Sequence, residues 1–312
     1  MTLQHPHDHL TLRPLTGRAE LDLFNRLPYL LNGELAADLE AGRRRPEWLW
    51  VALRGDRLVA RAAWWARAGD EKPELMDIFD IEDDIDDGVR LLETALAALV
   101  PAGVTPPEYG RYVPGDWRDH EDTRRVVEDR MGALERVGAK LFVERLRLQW
   151  EPGTPIPEPT GRLAFRPVRE PGELIDLMTR VLDGTLDAHS RADLTTMSAR
   201  QAAEQQYAEE LNRYASPHDW WRIATLPDGE PVGFVIPAHN GYNPIIAYIG
   251  VLPAHRGSGY IDEVLAAGTR LLAAEGVPRI RASTDLGNVP MARAFARAGY
   301  RTFERQIDMT WS

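Results

Sequence analysis

An α+β unit built twice in tandem is the fold this sequence predicts, and three observations predict it. Short β-rich runs alternate with amphipathic helical stretches in both halves of the 312 residues. A segment rich in proline and glycine, Glu151 to Gly161, separates the halves. The same landmarks then recur in the same order on either side of it.

Bulk properties narrow the function classes. A chain of 312 residues exceeds one typical core, and 44% hydrophobic residues are enough to fill two. The formal net charge of −11 argues against a nucleic-acid or anionic-membrane binder, whose affinity rests on a basic surface. With 0 cysteines there are no disulfides, thiolate metal ligands or cysteine nucleophile. The first ten residues lack a basic n-region and an apolar h-region, and no window of ~18 apolar residues occurs, so a cytoplasmic protein is expected. His5, His7 and His9 alternate in a polar tail, read as incidental because a tail is not preorganised to hold a metal.

Along the first half, Leu10 to Leu15 reads as a strand ending at Arg13-Pro14. An amphipathic stretch runs from about Glu20 to Leu39. Trp48 to Trp64 reads as a hairpin about Gly55-Asp56, and Met76 to Ile81 as a strand. The acidic run Asp80 to Asp87 follows, then a helix with Val89, Leu92, Leu96, Leu99 and Val100 on one face. An EF-hand template fails on the acidic run: counted from Asp80, the sixth residue is Ile85 instead of Gly and the twelfth is Leu91 instead of Glu. A solvated acidic turn is the expectation. Leu141 to Trp150 is a long alternating strand.

Glu151 to Gly161 holds four prolines and two glycines in eleven residues, a composition that continues neither helix nor sheet. The predicted organisation is therefore a domain over 1–150, a linker over 151–161 and a domain over 162–312. Arg13-Pro14 is echoed by Arg166-Pro167, and the Trp48 hairpin by Trp220 to Ile236. Met76–Ile81 lines up with Ile249–Ala254, and Met131 to Trp150 with Met291 to Trp311. The tryptophan pairs Trp64-Trp65 and Trp220-Trp221 read as core and interface.

The stretch richest in chemistry is Ile245 to Tyr260, an apolar run that ends in a glycine-punctuated turn before a helical pattern. Such a turn forms an anion site, because the first N–H groups of a helix lack intrahelical partners and the helix dipole adds positive charge. Gly257 and Gly259 admit close backbone approach, and Arg256 adds a donor fork.

Val251-x-Pro-x-x-Arg256-Gly-x-Gly259, followed by a helix, a strand leading to Asn288 and a short helix to Gly299-Tyr300, resembles the GNAT (GCN5-related N-acetyltransferase) superfamily. The resemblance is strongest over 220–311 and extends, through the internal repeat, to a tandem GNAT arrangement with a degenerate first half. It implies two domains, each a mixed, mostly antiparallel sheet flanked by helices, with acetyl-CoA as co-substrate between two splayed strands. It implies that backbone groups of Ile249, Gly250 and Val251 meet the pantetheine arm. It also implies that Arg256, Gly257, Ser258, Gly259, Tyr260 and Ile261 cradle the pyrophosphate, and that Asn288 holds the coenzyme from the next strand. The first domain carries six carboxylates, Asp80 to Asp87, where the turn would lie, and is not expected to bind the coenzyme.

The implied reaction is direct attack of a small-molecule amine on the thioester, with a backbone N–H near Val251 stabilising the developing negative charge. Two departures affect the catalytic pair. Phe295 stands where the family often has a tyrosine acid, and Asn243 to Ala247 contains no glutamate base. Tyr248, His239 and Asp285 are the remaining candidates for proton transfer. Their structural alternatives are packing for Tyr248, a loop position for His239 and helix capping for Asp285. Asp187 and His189 fall where the family builds the acceptor pocket; a solvated loop is the alternative there. A catalytically silent acetyl-CoA-binding or scaffold protein is the rival reading.

Overall fold

The computed structural model describes residues 9–311; His5 and His7 lie outside them. The chain divides into two compact units. One comprises the residues up to Val143 together with those from Gln306 onward, and the other is Glu144–Arg305. The sequence places the boundary at the proline-rich segment; the structure moves it upstream. The reason is hydrogen bonding: β6 (Lys140–Trp150) is one unbroken strand, and its Arg145–Trp150 portion pairs antiparallel with β11 (Ile280–Asp285) inside the second unit. The segment 151–161 forms no helix or strand, as expected. It belongs to the second unit, however, where Ile156 packs against the core and the Pro157 carbonyl accepts from Arg270.

The first unit orders its strands β1 (Leu10–Pro14), β2 (Leu49–Arg54), β3 (Arg57–Trp65), β4 (Leu75–Ile81), β5 (Glu108–Pro114), then the last residues of β12 (Arg301–Thr310). The Glu20 to Leu39 stretch is two short helices, α1 (Leu21–Phe24) and α2 (Leu35–Glu40), with Pro28 between them. Helices α3 (Ile85–Leu99) and α4 (Glu121–Arg136) follow, and Ile307 and Met309 from β12 complete this unit's core.

The second unit orders its strands β12, β6, β11, β10 (Pro244–Val251), β9 (Pro231–His239), β8 (Arg222–Thr225), β7 (Ala164–Pro167). Its sheet has a core on each face. Helix α8 (Tyr260–Ala274) covers one, with Phe295 and Tyr300. Helices α5 (Pro171–Val181) and α7 (Ala199–Glu209) cover the other, with Trp221. Between them in sequence lies the short α6 (Ala188–Asp193), and α9 (Val289–Arg297) precedes β12. Apart from β4/β5 and β10/β11, the strand pairings described are antiparallel.

The two units repeat each other in detail. In each, a strand ends in Arg-Pro, and that arginine donates to the next carbonyl and to a glutamate seven residues on: Arg13 to Glu20, Arg166 to Glu173. The arginine hydrogen bond, then the Thr16 N–H, hold the Glu20 carboxyl down at about 2. Bulges recur too. One skips Val59 in β3 and Val232 in β9; the other skips Asp77 in β4 and Ala247 in β10. The second bulge fixes the register: Met76–Ile81 corresponds to Ile246–Val251, ahead of the glycine turn, and not to Ile249–Ala254.

That register shows how the units differ. Gly250 is matched by Asp80, and β4 passes to α3 through Glu82–Asp84 alone, where β10 passes to α8 through Leu252–Gly259. The turn of the acidic run is solvated as expected, with Glu82, Asp83, Asp84 and Asp86 exposed, but the carboxylates at its two ends are buried. Asp80 is 2% exposed and accepts from Arg61 at 2.8 Å, Arg111 at 2.9 Å and Arg130 at 2.7 Å. Asp87 is buried against Arg54, Glu82 and Asp83 pair with Arg57, Asp86 pairs with Arg136, and Asp84 caps α3. Burial pushes the Asp80 carboxyl up, but the three guanidinium groups outweigh it and hold it below the usual range. Replacing a buried partner of this kind leaves uncompensated charge, so Asp80→Asn should cost about 3–5 kcal/mol of unfolding free energy by urea titration.

Candidate active site

Strands β10 and β11 are parallel neighbours that meet at one described residue pair, Ile245 with Arg281. Beyond it β11 stays on β6 through Asp285, whereas β10 stays on β9 through Val251. The two strands therefore part into a wedge whose β10 edge lacks a ladder partner. The Leu252 N–H donates to Val232 of β9. Alternation along the strand then turns the N–H of Gly250 toward β9 and those of Ile249 and Val251 into the wedge.

The bulge at Ala247 sits at the wedge's apex. It breaks the side-chain alternation, so Ala247 and Tyr248 both pack on the α5/α7 core while Ile249 and Val251 pack on the α8 core. Gly250 is tightly packed: a Cβ there would lie 3.0 Å from the Val181 side chain of α5, which would have to give way. Gly233 on β9 is more tightly constrained, its Cβ position being 2.3 Å from the Gly250 carbonyl oxygen.

At the open end of the wedge lies the glycine turn. Gly257 and Gly259 hold φ of 79° and 76°, in the left-handed region that glycine enters freely. Gly259 is the N-cap of α8 and supplies no side-chain cap. Among the described residues, no hydrogen bond is donated by the N–H groups of Gly257 through Ile261. Arg256 is exposed and also braces the turn from within. Its fork donates to the carbonyls of Val251 at 3.1 Å, Asp183 at 2.7 Å and Val181 at 2.7 Å, tying the turn to the C-terminal end of α5. That placement suits a cation, because the last carbonyls of a helix carry negative charge.

At the end of β11 the structure brings together Asp285, Asp187 and His189 with Arg145, which the motif reading did not single out. Asp285 is buried; it accepts from the Ala188 N–H at 2.6 Å, and Arg145 Nε lies 3.1 Å from its other oxygen. Asp187 caps α6 through the Ser190 N–H and lies 3.8 Å from Arg145. Burial, and then the charge of Asp187, push the Asp285 carboxyl up, against the pull of Arg145. Asp285 therefore steadies the start of α6, not of α9, whose cap is Asn288 accepting from the Met291 N–H. Tyr248 packs edge-on against Phe234, and burial followed by Asp187 pushes its phenol well above the usual range. His239 stands apart at the far end of β9, opposite Pro244, with its ring accepting from the Gly241 N–H. Phe295 is core, 1% exposed and edge-on to Tyr300.

A family profile described as an acetyltransferase (GNAT) domain matches residues 162–301. Residues 162–301 are a GNAT domain. No curated protein sequence matches the chain. Three solved structures align with nearly all of it. A GCN5-related N-acetyltransferase from Sphaerobacter thermophilus has a TM-score of 0.60 at 15% identity, over 97% of this chain and 95% of that one. A tandem GNAT protein from the clavulanic acid biosynthesis pathway, solved without AcCoA, has a TM-score of 0.51 at 16% identity, over 97% and 98%. The glucosamine N-acetyltransferase region of a fungal multi-domain GH3 β-N-acetylglucosaminidase has a TM-score of 0.57 at 14% identity, over 96% of this chain and 38% of that one. At these identities the likeness is one of fold. Among the described residues no helix is long and apolar enough to cross a membrane.

GNAT domains in general take acetyl-CoA as co-substrate, and the residues present fit such a molecule. The wedge offers edge N–H groups to an amide-bearing arm, and the turn offers N–H groups without protein partners to a pyrophosphate. Gly259→Val forces a β-branched residue into the left-handed region, and Arg256→Ala cuts the turn from α5. Each should weaken CoA binding by about tenfold or more, read as loss of the ligand-induced rise in melting temperature. Arg256→Lys should not restore it, since an ammonium cannot reproduce the fork.

Proposed function

We propose that this protein is an N-acetyltransferase that moves an acetyl group from acetyl-CoA to the amine of a small molecule, at one site per chain in the second unit. The observation that carries this reading is the wedge between β10 and β11, which opens onto a turn whose N–H groups are unpartnered. Acetyl-CoA supplies the activated acyl carbon, and the residues do the rest. Gly257 to Ile261 anchor its phosphates, Ile249 and Val251 align its arm, and Asn288 bounds it from the α9 side. The Val251 N–H stabilises charge on the acyl oxygen.

Asp285 is the base that takes the amine proton, directly or through a water, and Tyr248 holds a proton for the departing sulfur. A buried carboxyl with a raised pKa suits the first task and a phenol kept protonated by burial suits the second. Asp187 and His189 line the acceptor side; His239 is assigned no part. The protein's net charge of −11 favours a cationic acceptor. A second reading, a silent acetyl-CoA-binding scaffold, is favoured by one observation: both Asp285 oxygens already face partners, Ala188 and Arg145.

The first unit is assigned no coenzyme. Asp80, tied to Arg111, stands where the second unit has Gly250, and the turn that would meet a pyrophosphate is shortened and acidic. Calorimetry should therefore give one CoA per chain, a stoichiometry that Glu82→Gln/Asp83→Asn leaves unchanged; two per chain overturns the assignment. Thiol release with a panel of amines decides between enzyme and scaffold. Asp285→Asn should lower kcat by roughly 10²-fold or more. Because the carboxylate is the active form, kcat/KM should rise with pH through its raised pKa. Removing the like charge with Asp187→Asn should move that acid limb to lower pH, and Arg145→Gln should move it higher.

A further inference from the structure

The glycine turn carries a single cation of its own for a ligand with several negative charges. Arg256, the only arginine in the turn itself, spends Nε and one N–H of each terminal nitrogen on three backbone carbonyls, which leaves it one N–H on each terminal nitrogen. The first turn of α8 meanwhile carries Asp262 and Glu263, which favour the helix dipole but repel an incoming anion. Asp262 is paired with Arg297. Glu263, only 9% exposed, is paired with Arg162 at 2.6 Å.

Arg162 lies just before β7, far from the turn in sequence, yet its side chain rests on it. Nη1 donates to the Ser258 carbonyl at 3.1 Å, and Nε donates to Glu263 at 2.8 Å. The guanidinium lies 5.0 Å from the centre of the Tyr260 ring, and Nη2 is 3.9 Å from the Cβ position of Gly259. The side chain remains 47% exposed. A guanidinium has five N–H donors; the bonds to Ser258 and Glu263 leave one on each terminal nitrogen for a ligand.

We propose that Arg162 is a second phosphate-binding cation of the coenzyme site beside Arg256, held at the turn by Glu263 and Ser258. The inference rests on the reading of this turn as the acetyl-CoA site and adds to it a residue from outside the motif. The chemistry it recognises is a phosphate, either the pyrophosphate or the 3′-phosphate of the coenzyme. Glu263 orients the guanidinium, as a carboxylate fork orients one of its edges and frees the other. Tyr260 supports it with its ring face.

The alternative is that Arg162 only neutralises Glu263, and the two roles separate in a double-mutant cycle. Calorimetry with CoA and with 3′-dephospho-CoA is run on the full chain and on Arg162→Gln, Glu263→Gln, the double variant and Arg162→Lys. Arg162→Gln should weaken CoA binding by about tenfold and flatten its dependence on salt. The double variant should stay weak, Glu263→Gln should stay within a few-fold of the parent, and Arg162→Lys should recover part of the loss. An equal loss for both ligands assigns the pyrophosphate; a loss confined to CoA assigns the 3′-phosphate. Recovery of parent affinity in the double variant, or unchanged affinity in Arg162→Gln, overturns the proposal. Absence of CoA binding by the unaltered protein overturns the underlying reading of the site instead.

Discussion

Two parallel strands that meet at one described residue pair and then separate are the constraint on which the second unit depends. A continuous ladder between β10 and β11 would satisfy every backbone group and leave no edge for a ligand. The bulge at Ala247 lies next to that parting and sends two successive side chains to one face. Gly233 and Gly250 keep the strand close to its neighbours without side chains in the way, and Arg256 ties its outgoing turn to α5. The open edge is thus held by a few specific contacts rather than left loose.

The first unit shows what becomes of the same architecture when the opening is bridged. Its β4 and β5 also pair at their beginnings only, Leu75 with Glu108 and Met76 with Tyr109, and the equivalent bulge is kept. There Asp80 of β4 is bonded across to Arg111 of β5 and further to Arg61 and Arg130. An ion cluster of this kind is a poor source of net stability but a strong specifier of one arrangement, because each charge is costly to leave alone.

Much of this was legible in the sequence. Strand and helix periodicity, the Gly55-Asp56 hairpin and the Arg-Pro corners marked the elements, and the glycine turn marked the candidate site. What escaped has physical causes. The boundary within β6 depends on which strand β6 pairs with, and a strand's own pattern does not name its partner. The burial of Asp80 and Asp87 escaped because their arginine partners lie on other elements, at positions 54, 61, 111 and 130. Arg145 carried no motif signal; only its pairing opposite Asp285 gives it a role. That Arg256 also braces the turn escaped because the carbonyls it meets lie 73 and 75 residues away.

The interleaving of the two units also bears on how the chain is made. Ile307 and Met309 fill the core of the first unit, although they lie more than 160 residues beyond Val143, where its main segment stops. A ribosome delivers residues in order, at a pace that usually lets an N-terminal domain fold before the next is complete. Here that sequence of events is closed off. The first unit must wait, its core lacking a strand, until the second has been synthesised. Its closure therefore follows synthesis of the second unit, and until then the nascent chain carries an incomplete sheet edge.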